Sequence, residues 1–173
     1  MDFREITEFF RDTFKYIITA VIVLVILVYI ASFQQVIGPS MMPNLENRDI
    51  LLISKLHPRF FSIRRNDIVA IFQGERHMIK RVIGLPGEHI EFISNYLYIN
   101  GRSFQENYIN TSTENFSLQD LGYEIIPEGM FLVLGDNREN SLDSRDFGLI
   151  REDDIVGRGI LRIWPINRLR IIR

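Results

Sequence analysis

The chain has 173 residues, with 20 Lys plus Arg against 22 Asp plus Glu and a net charge of −2. That length fits one compact domain, or a domain with a small insertion, and the balanced charge gives no electrostatic basis for wrapping nucleic acid. The absence of cysteine excludes structural disulfides, a thiol nucleophile and thiolate metal sites.

Residues 16–33 carry no charged side chain. As a helix they span roughly 27 Å at about 1.5 Å per residue, close to the thickness of a bilayer core. The pattern predicts one transmembrane anchor over residues 16–34, with Tyr16 and Tyr29 at its interfaces. A buried core helix would show a polar face. A cleaved signal peptide would carry a shorter apolar stretch ending in small residues, and this one ends Ala31-Ser32-Phe33-Gln34-Gln35. Arg4, Arg11 and Lys15 precede the run, and Arg48 is the only basic residue in the twenty that follow it. The positive-inside rule therefore puts residues 1–15 in the cytoplasm and residues 35–173 outside. Phe3, Ile6, Phe9 and Phe10 recur at near-helical spacing, fitting an interfacial helix or the start of the anchor helix itself.

Beyond the anchor the apolar runs are short and bounded by turn residues, as strands are. Ile50–Ile53, Ile68–Phe72, Met78–Ile83, Ile90–Ile93, Tyr96–Ile99, Met130–Leu134 and Ile155–Ile163 all read this way. Asn100-Gly101 predicts a two-residue hairpin turn, and Gly84-Leu85-Pro86-Gly87 a further turn. Residues 104–128 are polar and read as a surface excursion. The expected fold is mainly β: an antiparallel barrel or sandwich with an inserted subdomain over about 88–128, preceded by one transmembrane helix.

Three segments carry candidate chemistry. The three histidines, His57, His77 and His89, lie in no nucleophile-elbow setting and at no metal-ligand spacing, so they read as ordinary strand or surface residues. Only three of the 20 basic residues are lysines, at positions 15, 55 and 80. Lys80 sits in an apolar strand candidate, where period-2 alternation puts it on one face with Met78 and Val82. Desolvation in such a setting disfavours the charged amine. A shift from about 10.4 to about 8 corresponds to roughly 3 kcal/mol and makes a usable general base. A solvated lysine at a sheet edge is the alternative. Ser40, in Gly38-Pro39-Ser40-Met41-Met42-Pro43, is flanked by prolines that restrict the backbone; this suits a fixed nucleophile or a plain juxtamembrane turn. The run Gly135–Gly148 is dense in Asp, Asn and Arg. It misses the EF-hand spacing, and such density builds either a solvated loop or a rigid ion-pair network.

Taken together, these segments resemble the type I signal peptidases, membrane-bound Ser–Lys proteases. Ser40-Met41-Met42-Pro43 is similar to the family's nucleophile box, and Arg65-Asn66-Asp67-Ile68-Val69 to its next box, with Asn66 in place of Gly. Lys80–Gly87 is similar to the box that carries the base, and Gly135–Gly148 to the last. The resemblance implies Ser40 as nucleophile, with its own N–H in the oxyanion hole, and Lys80 as general base. It implies Ser141 as the residue that orients the amine, and Asp136 with Arg81 and Asp143 with Arg145 as the ion pairs that fix the site. Met41, Leu45, Ala70, Met78 and Ile79 fall on the family's substrate-pocket positions. Asn44 and Met78 depart from the family's usual Thr and Tyr, whereas Gly38, where some members add a Ser hydroxyl to the oxyanion hole, is shared with other members. The implied substrates are exported preproteins cut after A-x-A-like sites beside the lipid bilayer, with no metal or organic cofactor and no nucleic-acid partner. The alternatives are a specialised pilin- or conjugation-type processing peptidase and an inactive, membrane-tethered module that binds signal peptides. Phe60 and Phe61, flanked by Arg59, Arg64 and Arg65, offer an interfacial contact with anionic lipid, and Trp164-Pro165 a weaker one.

Overall fold

The computed structural model describes residues 3–56 and 62–172. His57 and the Phe60–Phe61 contact expected above lie outside those residues. Helix α1 runs from Phe3 to Val25, a π-helical turn covers Ile26–Ile30, and strand β1 begins at Ala31 and ends at Gln35. The single helix expected over 16–34 is therefore divided. Its last residues are drawn into sheet pairing, Ala31 to Gln35 lying antiparallel to Ser54 to Ile50 of strand β2 (Ile50–Ser54). The first turns of α1 carry Glu8, Arg11, Asp12 and Lys15, and Lys15 donates to Asp12 at 3.0 Å. Among the described residues, no helix is long and apolar enough to cross a membrane.

The rest is antiparallel β. Four short strands, β5 (Ile90–Ile93), β6 (Tyr96–Ile99), β7 (Arg102–Phe104) and β8 (Phe116–Ser117), form a small sheet in the order β7-β6-β5-β8. Strands β3 (Ile68–Gln73), β4 (Arg76–Gly84), β9 (Met130–Leu134), β10 (Ile150–Arg151), β11 (Ile155–Trp164) and β12 (Arg170–Ile171) join β1 and β2 in the larger one. Its order is β1-β2-β11-β3-β4-β9-β10, with β12 on β11. Among the described residues this sheet stays open at β1 and β10, so the barrel alternative does not form.

Burial explains the runs. Ile68, Val69, Ala70 and Ile71 are all buried, because β3 lies mid-sheet with a core on each face. Ile68 and Ala70 pack with Met41, Leu51 and Ile53, whereas Val69 and Ile71 pack with Val82 and Val133. The small sheet closes a third core around Phe92, Leu97 and Leu118. Residues 104–128 are thus not all surface, since Phe116, Leu118 and Ile126 plug that core.

Two-residue turns set the registers. Asn100 and Gly101 both have positive φ, 52° and 75°, and join Ile99 to Arg102. This is the mirror-image turn whose twist matches the strands. Ser94-Asn95 and Gly74-Glu75 make the same turn, also with positive φ, between β5 and β6 and between β3 and β4.

Candidate active site

The loop after β1 presents Ser40. Pairing of Val36 with Asp49 (N–O 2.8 Å) and of Arg48 with Val36 (2.9 Å) closes its base. Gly38 takes φ +84°, a left-handed conformation in which a side chain is strained, and its N–H donates to Asn47 Oδ1 at 3.0 Å. Met41 and Leu45, both fully buried, pin the loop to the first core. The Ser40 carbonyl accepts the Asn137 N–H at 3.0 Å. Among the described residues the Ser40 N–H and hydroxyl carry no hydrogen bond, so both remain available to a substrate.

Lys80 lies on β4, paired with Val69 on one side and only 2% exposed. Its Nζ donates to Ser141 Oγ at 2.9 Å. Burial pushes the amine down to about 8. The Asp143 carboxylate opposes that shift, and the Arg145 guanidinium adds to it. The amine is therefore easily neutralised near physiological pH.

Gly135, just past β9, lets these parts meet. A Cβ built there would strike the Ser141 hydroxyl and stand 2.5 Å from the Ser40 carbonyl oxygen. The nucleophile loop and the Ser141 loop thus both close on the one space that a side chain at residue 135 would fill. Gly135→Ala is expected to cut turnover at least about 100-fold and to cost roughly 1–3 kcal/mol as an overpacking change. Turnover assays beside urea denaturation check it; a Gly135→Ala enzyme of normal rate contradicts this packing.

Around the cluster the charges are paired. Arg81, one residue beyond Lys80 and so on the opposite face of β4, makes a bidentate pair with Asp136, both bonds 2.7 Å. Its guanidinium carbon lies 4.3 Å from the Tyr108 ring centre. Asn44 donates from Nδ2 to Asp136 Oδ2 (2.9 Å) and to the Tyr108 carbonyl (2.6 Å). Asp143 caps the short helix α2 (Ser144–Phe147), pairs with Arg145 at 2.8 and 2.9 Å, and accepts the Gly135 N–H at 3.1 Å. Such pairs fix geometry more than they add stability.

Three connections escaped the sequence reading, which noted Asn44 only as a departure from the family's usual residue. Arg138, buried, donates to Glu106 at 3.1 and 2.5 Å and to the Gly135 carbonyl at 3.0 Å, tying the small sheet to the site loop. Asn137 donates to the Ser40 and Pro39 carbonyls, and Asn44, within the nucleophile loop, donates to Asp136, so adjacent residues 136 and 137 hold that loop. The Asp and Arg density of 135–148 signalled a network without saying which side chain met which.

Ser40, Lys80, Met41, Met78 and Ile79 line one cleft of about 610 Å³. Leu45 and Ala70 do not reach it; they are 0% and 1% exposed and pack behind its wall. Among the described residues no group of His, Asp and Glu side chains is placed to hold a metal ion.

A serine hydroxyl and a buried, readily neutralised amine in one cleft of a β domain define a hydrolytic class of protein. Comparison with known proteins narrows the class. The family described as signal peptidase, peptidase S26, matches residues 10–164. Signal peptidase I of Leptolyngbya laminosa is 37% identical over 162 residues, 88% of this chain and 78% of the relative. Signal peptidase IB of Staphylococcus aureus strain Mu50 is 33% identical over 180 residues, 92% and 94% of the two chains. The crystal structure of a signal peptidase I from Enterococcus faecalis V583 superposes with a TM-score of 0.52 at 38% identity, covering 56% of this chain and 96% of that one. The chain belongs to the signal peptidase family, peptidase S26, and is a serine endopeptidase of the type I signal peptidase kind.

Proposed function

We propose that Ser40 and neutral Lys80 carry the cleavage of signal peptides from exported preproteins. The Lys80 amine takes the Ser40 hydroxyl proton as Oγ attacks the scissile carbonyl. The ammonium then returns that proton to the leaving amine, and an acyl-Ser40 ester remains. Water, deprotonated by the same amine, hydrolyses the ester. The Ser40 N–H, free of any protein acceptor among the described residues, stabilises the developing oxyanion. Ser141 holds the amine through their 2.9 Å hydrogen bond, so no carboxylate is needed to orient the base. The observation that carries the reading is a buried strand lysine, shifted toward neutrality, in one cleft with an unengaged serine hydroxyl. Met41, Met78 and Ile79 narrow the cleft beside the pair and favour small substrate side chains on the A-x-A pattern.

Incubating the purified protein in detergent with a preprotein, and locating the cut by mass spectrometry, tests this directly. A single cut after an A-x-A site is expected; binding without cleavage would favour the tethered binding module.

On the same reading the helical segment 16–30 lies in the cell membrane, with residues 1–15 cytoplasmic and the β domain outside. Tyr16, Ile17, Val21, Leu24 and Tyr29 are all exposed, and water tolerates such a bare apolar helix poorly. Fifteen helical residues span about 22 Å at about 1.5 Å each, and Ala31–Phe33 extends the apolar stretch toward the headgroups. The protein is expected to stay in the membrane pellet after alkaline carbonate washing, and a variant lacking residues 1–30 to move to the supernatant. Full release of the intact chain would contradict the anchor.

A further inference from the structure

The cleft has a charge asymmetry that the hydrolytic chemistry does not use. Its lining includes Arg76, His77 and Lys80 but no carboxylate. Arg76, Met78 and Lys80 alternate along β4 and share one face. Arg76 is exposed, and among the described residues its guanidinium has no carboxylate partner. β3 pairs along residues 76–81 of β4, whereas pairing with β9 begins only at Arg81. The backbone edge from 76 to 80 is therefore open to an extended peptide. Four residues of strand place Arg76 about 13 Å from Lys80. The facing wall, Gln34 to Ile37, leads back along β1 to the apolar helix. This end of the cleft is thus the one nearest the helix, where the signal-peptide part of a substrate enters.

Building on the proposed function, we infer that Arg76 is a specificity-determining residue that selects a carboxylate side chain four to five residues before the cleaved bond. An Asp or Glu there would meet an exposed guanidinium with no carboxylate partner among the described residues, whereas a Lys would meet like charge. The contact is solvent-exposed and screened by salt, so the expected discrimination is about fivefold per charge step.

Binding measured in the Ser40→Ala protein separates this inference from the cleavage mechanism. Three fluorescent peptides, identical except for Asp, Ala or Lys at the fifth residue before the cut, are titrated against Ser40→Ala in neutral detergent, with Arg76 and with Arg76→Glu. The expected order is Asp tighter than Ala tighter than Lys, reversing with Arg76→Glu and fading at high salt. An order unchanged by the charge reversal, or three equal affinities, overturns the inference. So does an Arg76 effect that appears only when anionic lipid is added and is the same for all three peptides, since the side chain would then be meeting headgroups. Cleavage of the Ala peptide by the protein with Ser40 intact is scored in parallel, and its failure would count against the dyad rather than against Arg76.

Discussion

Replacing Ser40 by Ala or Lys80 by Met is expected to abolish preprotein cleavage, each alone by roughly 10⁴-fold or more, because members of one nucleophilic unit fail together. The double variant should be little worse than either single one. The folds should survive, and Lys80→Met should even gain stability. Methionine has similar volume and no charge to desolvate, and its loss of the Ser141 hydrogen bond costs only about 1 kcal/mol. Cleavage by purified variants, with thermal unfolding as the folding control, checks both parts. Substantial turnover by the Lys80→Met protein would remove the amine from the mechanism.

The second large effect is on pH. The reactive form needs Lys80 neutral, and its pKa is lowered to about 8 by burial. The rate constant kcat/KM should therefore climb about tenfold per pH unit below 8 and level off above it. The same shift makes the lysine a stability liability with a definite window. The folded value lies below the ordinary lysine value of 10.5, so between about pH 8 and 10.5 the unfolded chain holds a proton that the folded chain lacks. Stability accordingly rises with pH across that window, the full penalty being present below 8 and absent above 10.5. The shift corresponds to about 3 kcal/mol. The stability advantage of Lys80→Met should thus be largest at neutral pH and shrink as pH rises through 8 to 10.5. A pH-independent difference, measured by denaturant unfolding, would contradict the shifted amine.

What the sequence disclosed, and what it hid, follows from how local each signal is. The segments around Ser40, Lys80 and Ser141 were legible because a reaction needs particular side chains in particular order, and the three reach one cleft region. The Asn100-Gly101 turn was legible because only a few residue types tolerate positive φ twice in a row. Ser94-Asn95 and Gly74-Glu75 adopt the same turn from less distinctive pairs. Leu45 and Ala70, expected in the pocket wall, sit behind it, since one layer of packing cannot be counted along a chain. Phe116, Leu118 and Ile126 were hidden among polar neighbours that erase any period. Ala31–Gln35 reads as the end of an apolar helix. Its fate was decided by a partner strand at Ile50–Ser54 whose hydrogen bonds no local propensity encodes.

The position of β11 carries a consequence for how the molecule comes into being. β11 lies between β2 and β3, so among the described residues the half of the sheet that leads to Ser40 is joined by strand pairing to the half that bears Lys80 through residues 155–164. Arg162 on that strand also reaches back to Asp49 at 3.1 Å, beside the nucleophile loop. A chain lacking its last twenty or so residues has both reactive groups and the Asn137–Ser40 and Asn44–Asp136 bonds, but not the strand that aligns the two halves. Non-local pairing of this sort is slow to form, because loop-closure entropy must be overcome first. A chain without β11 is therefore expected to be inert, and the protease to become active only once residues 155–164 are seated between the two halves.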